Sequence, residues 1–258
     1  MKQFLAVIIC WALLTVGALA QLSADALTLG FSNDAGFDNT PAWNNLVSSG
    51  DNSVYFNGQF TFKTAPNGIN RVMHIVGNGV NGTTFYRDYE PVTLFEPFIK
   101  STKALHMQGI GVIAKQGQGG VAVELSGLTA SASTLRDLYI SAQVGANWAI
   151  PLKVWSDDPL GIRGVFLENI ELFAATLHGF WFVNVQGLTA GVQYYPAGGT
   201  VSHAVIQHFG SYRSASIDLV TRHLVSLYIY GTDNAVIKSI NGTNIITSSD
   251  STNVRSAK

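Results

Sequence analysis

Asp38-Asn-Thr-Pro-Ala-Trp-Asn-Asn-Leu46 is followed by Val54-Tyr-Phe-Asn-Gly-Gln-Phe-Thr-Phe62, then by Val72-Met-His-Ile-Val-Gly-Asn-Gly-Val-Asn-Gly-Thr-Thr-Phe85. Asp38 offers a carboxylate to cap a helix, and Pro41 suits the first turn. Trp43, Leu46 and Val47 then fall on one helical face. The second segment is rich in aromatic residues and broken by Asn57-Gly58. The third is a β-branched run punctuated by glycine. Both predict short strands.

Downstream of Val54 no helical period stands out, and short apolar runs alternate with Gly, Asn, Asp and Ser breaks. A pattern of apolar-x-x-apolar-x-apolar recurs at Met107-Ile110-Val112, Leu135-Leu138-Ile140, Leu167-Ile170-Leu172 and Leu224-Leu227-Ile229. The starts differ by 28, 32 and 57 residues, and a degraded copy, Ile206-Phe209-Ser211, falls in the long gap. The residue before the second apolar position is Gly109, Asp137, Asn169, His208 and Ser226 in turn. Several of these types tolerate left-handed backbone or bond their own backbone in turns, so the column predicts a tight bend stacked from coil to coil. Asn184–Gly199 breaks the rhythm and reads as an inserted loop with Tyr194 and Tyr195 at its tip.

In their order, the three opening segments resemble the N-terminal part of the pectate-lyase-like right-handed β-helix superfamily, which includes polysaccharide lyases, glycosidases and phage tailspikes. The resemblance implies an all-β chain wound as a right-handed parallel β-helix, with a short N-terminal capping helix over the open end. Such a cap has a physical purpose, because a stack of coils otherwise exposes apolar interior and unpaired strand edges. The implied layout is a signal peptide at 1–20, a leader at 21–36 and a single β-helix domain at 37–247. Residues 37–53 form the capping helix and turn, and 248–258 a polar tail. A rival fold, the antiparallel sandwich, requires hairpins in place of coil-to-coil stacking.

The signal peptide is read from Lys2, the apolar run Phe4–Val16 and the small-x-small site Ala18-Leu19-Ala20. The run is short for a membrane span. The one cysteine, Cys10, lies inside this segment, so the mature chain has neither disulfides nor a thiol nucleophile. Charged residues make up 12% of the chain and the formal charge is −1, which leaves no basic field for nucleic acid. The expected partner is a polysaccharide, met in a secreted, extracellular or periplasmic setting, with no membrane contact after signal removal. The expected protein is a monomer or homotrimer.

Carboxylates do the chemistry of glycoside hydrolases, while a lyase needs a base and a cation beside a uronate. The repeat places two outward columns: Gln108, Arg136, Glu168, Gln207 and Val225, and Gly111, Tyr139, Glu171, Gly210 and Tyr228. Glu168 and Glu171 are therefore the acid/base candidates. Arg136 would counter substrate charge, and Tyr139, Tyr228, Tyr194 and Tyr195 would stack on sugar rings. The plainer alternative is two solvated glutamates on a wet sheet face. Asp157-Asp158-Pro159 reads as a turn, and Ala235-Val-Ile-Lys238 lacks the arginine of the polygalacturonase signature that the resemblance implies. No histidine pair has metal-ligand spacing, so no metal or cofactor is expected. The functional expectation is an exported protein that binds a polysaccharide and is a candidate lyase or glycoside hydrolase. The alternative is a non-catalytic glycan-binding or structural spike or adhesin at a virus or cell surface.

Overall fold

The computed structural model describes residues 23–195, 203–207, 215–221, 226–230, 235–240, 244–249 and 251–257. The expected signal peptide, Cys10, His208 and Gly210 lie outside these residues. Strands β1 (Ala24–Asp25), β2 (Ser53–Phe56), β3 (Gly58–Phe62), β4 (Met73–Gly77), β5 (Thr83–Arg87), β6 (Pro97–Ser101) and β7 (Leu105–Ala114) open the fold. They continue as β8 (Val121–Ser126), β9 (Thr134–Ala142), β10 (Ile150–Trp155), β11 (Ile162–Arg163), β12 (Phe166–Phe173), β13 (Phe180–Val183) and β14 (Val185–Gln186). The last are β15 (Leu188–Tyr195), β16 (His203–Gln207), β17 (Ala215–Thr221), β18 (Ser226–Tyr230), β19 (Ala235–Ile240), β20 (Asn244–Thr247) and β21 (Arg255–Ala257).

The large sheet runs β1-β2-β4-β7-β9-β12-β15-β17-β19-β21, with β3 and β5 joined to it beside β7. A seven-stranded sheet runs β20-β18-β16-β13-β10-β8-β6, and β11 pairs with β14 alone. From β7 onward the chain passes back and forth between the two main sheets. Every ladder among the described residues is parallel, and each strand pairs with its counterpart one circuit later. Parallel neighbours need crossovers and cannot be joined by hairpins, so this all-β arrangement is β-helix-like and excludes the sandwich.

The interior is built from columns. Val54, Ile75, Met107, Leu135, Leu167 and Ala190 follow one another in register along the large sheet, and all are buried. Ile99, Val123, Leu152 and Phe180 form a buried column on the seven-stranded sheet. Each of the side chains larger than alanine contributes about 1.5–3 kcal/mol by leaving water. Near the N-terminus the filling is aromatic: Phe56 meets Phe31, Phe60 and Phe85 edge-on at 4.8–5.1 Å. Helix α1 (Thr40–Ser48) covers these coils, burying Ala42, Trp43, Leu46 and Val47. The Trp43 ring lies edge-on to Phe62 and Phe85, and its indole N–H donates to the Asn67 carbonyl at 2.9 Å. The residue at the helix N-cap is Asn39 and not Asp38. Asp38 still does part of the work, since its Oδ1 accepts from the Thr40 N–H, the Thr40 hydroxyl and the Lys63 N–H.

The first three repeat copies align as their spacing predicts. Met107, Leu135 and Leu167 share a register, as do Ile110, Leu138 and Ile170, and Val112, Ile140 and Leu172. The bend column is left-handed at Gly109 (φ 69), Asp137 (φ 51) and Asn169 (φ 52). Beyond Leu172 the expected alignment fails. The next strand of this sheet is β15, where Leu167 pairs with Ala190 and Ile170 with Val192. One residue fewer separates the pairs, so β15 alternates strictly, and the x-x spacing that would reveal it is gone. Ile206 and Leu227-Ile229 belong to β16 and β18 of the other sheet, and Ser226 is the first residue of β18.

Two further expectations are corrected. The inserted loop expected at 184–199 is largely strand over its described part, because Leu188–Tyr195 forms β15 between β12 and β17, and residues 196–199 lie outside the described residues. The polar tail at 248–258 carries β21, which pairs with Val236–Lys238. Backbone ladders accept polar side chains on a wet face, so composition alone hides such a strand. Asp157-Asp158 does form a turn, with Asp158 accepting from the Leu160 and Gly161 N–H groups.

Candidate functional site

The outer face of the large sheet carries the predicted cluster. Gln108, Arg136 and Glu168 are in register on β7, β9 and β12, and Gly111, Tyr139, Glu171 and Gln193 form the next outward column. Glu168 and Glu171 therefore share one strand, with Arg136 and Tyr139 opposite them. Arg136 Nε donates to Glu168 Oε2 at 2.5 Å, both side chains being about half exposed (46% and 48%). At that exposure the pair adds little stability, but it occupies one carboxylate oxygen. Glu171 has no ion pair among the described residues and is half-buried beside the aromatic rings.

Tyr139, Phe173 and Tyr195 make a ring ladder across three neighbouring strands. The Tyr139 and Phe173 centroids are 5.1 Å apart, and those of Phe173 and Tyr195 are 4.7 Å apart, both tilted. Tyr195 Oη donates to Gln193 Oε1 at 2.6 Å, which fixes the last ring. Phe173 is a site residue the sequence reading missed, although it follows Leu172, the last apolar position of a repeat.

Beside the charged column lies a groove of about 240 Å³ lined by His74, Ile75 and Val76 of β4, His106, Met107 and Gln108 of β7, and Thr134 and Arg136 of β9. His74 and His106 are register partners on β4 and β7, and their rings stack at 4.5 Å with planes 18° apart. Burial, reinforced by the neighbouring His74, holds His106 below the ordinary imidazole value. Neither histidine stood out in the sequence. The available signal was their separation of one circuit, from residue 74 to residue 106.

No family model matches the chain, and no curated protein matches it. A solved structure described as Geobacillus virus E2 ORF18 is similar at a TM-score of 0.46 and 11% identity, over 94% of this chain and 61% of that one. The chain thus spans less than two thirds of that structure's length.

Two predicted binding residues sit elsewhere. Tyr194 is fully buried on the core side of β15, against Gly179, where an added Cβ would come within 2.6 Å of the phenol ring. Strand alternation separates it from Tyr195, so it cannot stack on a surface sugar. Tyr228 lies on β18 of the seven-stranded sheet, its ring parallel to Tyr230 at 6.3 Å, and does not join the Tyr139–Glu171 column.

That second sheet has its own polar cluster. Lys100, Glu124 and Lys153 are in register, and the buried Glu124 carboxylate receives Lys100 Nζ at 3.6 Å and Lys153 Nζ at 3.7 Å. The Lys153 ammonium lies 4.5 Å from the Trp155 ring centre and 5.3 Å from that of Trp181. Burial lowers the Lys153 pKa, and the Glu124 charge acts against that shift. Two cations around a buried anion satisfy the desolvated carboxylate, which makes this cluster structural. Among the described residues no group of three or more His, Cys, Asp or Glu could hold a metal ion. None of their helices is long and apolar enough to cross a membrane.

Proposed function

We propose that this chain is an exported right-handed parallel β-helix of the pectate-lyase-like type that binds a polysaccharide along the outer face of its large sheet. The observation carrying this reading is the Tyr139–Phe173–Tyr195 ladder, flanked by Glu171, Gln193 and the Arg136–Glu168 pair. Sugar rings present apolar C–H faces and a rim of hydroxyls. A row of aromatic rings with carboxylate, amide and guanidinium groups alongside matches both features.

Glu171 and Glu168 are the acid/base candidates for cleavage by this face. The ion pair on Glu168 favours its use in positioning, and supports binding as the primary activity. A glycan-binding spike or adhesin without turnover remains the second reading for the same reason.

The test is a glycan panel, neutral and acidic, scored for binding by calorimetry and for products by chromatography. Replacing Tyr139, Phe173 and Tyr195 with Ala should abolish binding while the far-ultraviolet circular dichroism spectrum is retained. Undiminished binding by that variant refutes the ladder's role. Product formation that survives E168Q together with E171Q removes both glutamates from the chemistry, and binding without products selects the spike reading.

A further inference from the structure

We propose that the groove around His74 and His106 is an anion subsite, so that the glycan held on this face is acidic and is bound more tightly as pH falls. The inference rests on the glycan reading above and specifies its ligand class.

Every polar side chain among the lining residues can donate a hydrogen bond, namely two imidazoles, the Gln108 amide, the Thr134 hydroxyl and the Arg136 guanidinium, and none of the lining residues is a carboxylate. A carboxylate or sulfate ester is the ligand group that accepts from all of them. At neutral pH the Arg136 charge is already matched by Glu168. Further positive charge in the groove must come from the imidazoles.

The histidine geometry makes that charge conditional on a ligand. The two rings stack at 4.5 Å, so two imidazolium ions there repel one another. An anion lying across both ring edges relieves the repulsion and draws protons onto the pair. By linkage, acidification then strengthens anion binding. The groups facing the pair are Ser53 opposite His74 on β2, Thr134 opposite His106 on β9, Arg136 two residues further along β9, and Glu168 beyond Arg136 on β12.

The experiment is calorimetric titration of the full chain with three oligosaccharides of equal length, one uronic, one sulfated and one neutral, each at pH 5 and pH 8. The uronic or sulfated ligand should bind roughly tenfold tighter at pH 5. His74→Gln with His106→Gln should remove that pH response while leaving neutral-glycan affinity and the melting temperature near those of the parent chain. His106→Asn alone should halve the response on a logarithmic scale, which guards against a folding defect in the double variant. Whichever acidic ligand responds identifies carboxylate or sulfate as the source of the charge. A pH response unchanged in the histidine variants overturns the proposal. Binding of the neutral glycan only overturns the anion subsite and leaves the glycan reading standing, whereas no binding by any glycan overturns both.

Discussion

Asn169 Nδ2 donates to Asp137 Oδ1 at 2.7 Å across one step of the ladder, and both residues are left-handed, with φ of 52° and 51°. The bond joins two successive corners of the stack, and Gly109 continues the column at φ 69°. A β-branched residue cannot occupy such a corner without strain. N169V should therefore cost about 1–3 kcal/mol. N169G should cost less, because glycine accepts the angle and only the side-chain bond is lost. Chemical denaturation of the two variants checks the ranking, and equal losses would show that the angle does not matter.

Arg87 is a buried cation tied to the backbone. Its Nη1 donates to the Gly119 carbonyl at 2.6 Å, and Nη2 donates to those of Gln116, Gly117 and Asn147 at 2.9–3.0 Å. The guanidinium lies 4.1 Å from the Trp148 ring centre. Burial lowers its pKa to about 10, so it remains charged at neutral pH. R87M strips donors from several carbonyls at once and should cost about 3 kcal/mol or more. That corresponds to a fall of roughly 10 °C in Tm. R87K should recover part of the loss, since an ammonium offers three donors without the planar fork.

Asp38 supplies an acid-sensitive element. Burial pushes its carboxyl pKa up, but hydrogen bonds from the Lys63 N–H and from Thr40 outweigh that and hold it below 3.8. A carboxylate with a depressed native pKa stabilises the fold above its unfolded value and loses that contribution as pH falls through the native one. The Tm of the parent chain should decline on acidification below about pH 4. In D38N the decline should be shallower, measured by differential scanning calorimetry at several pH values.

Tyr194 and Tyr195 should separate cleanly in mutagenesis. Y194A empties a fully buried site and should cost about 3–5 kcal/mol. Y195A should leave stability within about 1 kcal/mol and act on glycan affinity. A stable Y194A chain would contradict the placement of that ring in the core.

The sequence was most legible where turn chemistry and apolar spacing agreed. Gly109, Asp137 and Asn169 each announce a corner, and the apolar triplets around them then align residue for residue. The reading lost the ladder at β15, where the corner is absent and Ala190, Val192 and Tyr194 alternate without the tell-tale spacing. Tyr228 was misplaced for a related reason: Leu227-Ile229 has the same local pattern but lies in the other sheet. Local periodicity reports which residues point inward and says nothing about which wall of the stack they belong to. His74 and His106 stayed hidden because their meeting depends on pairing across a full circuit.

The lost corner at β15 has a consequence for anything lying on the outer face. Gln108, Arg136 and Glu168 form a lane that stops where Glu168 and Asn169 together meet Gly191, while the Tyr139–Glu171–Gln193 lane runs on past it. From β7 to β12 that lane spans two strand spacings, about 10 Å. The surface thus has a blind end as well as an open track. A ligand lying along the Tyr139–Glu171–Gln193 lane would have the Gln108–Arg136–Glu168 lane beside it for only a short, fixed stretch.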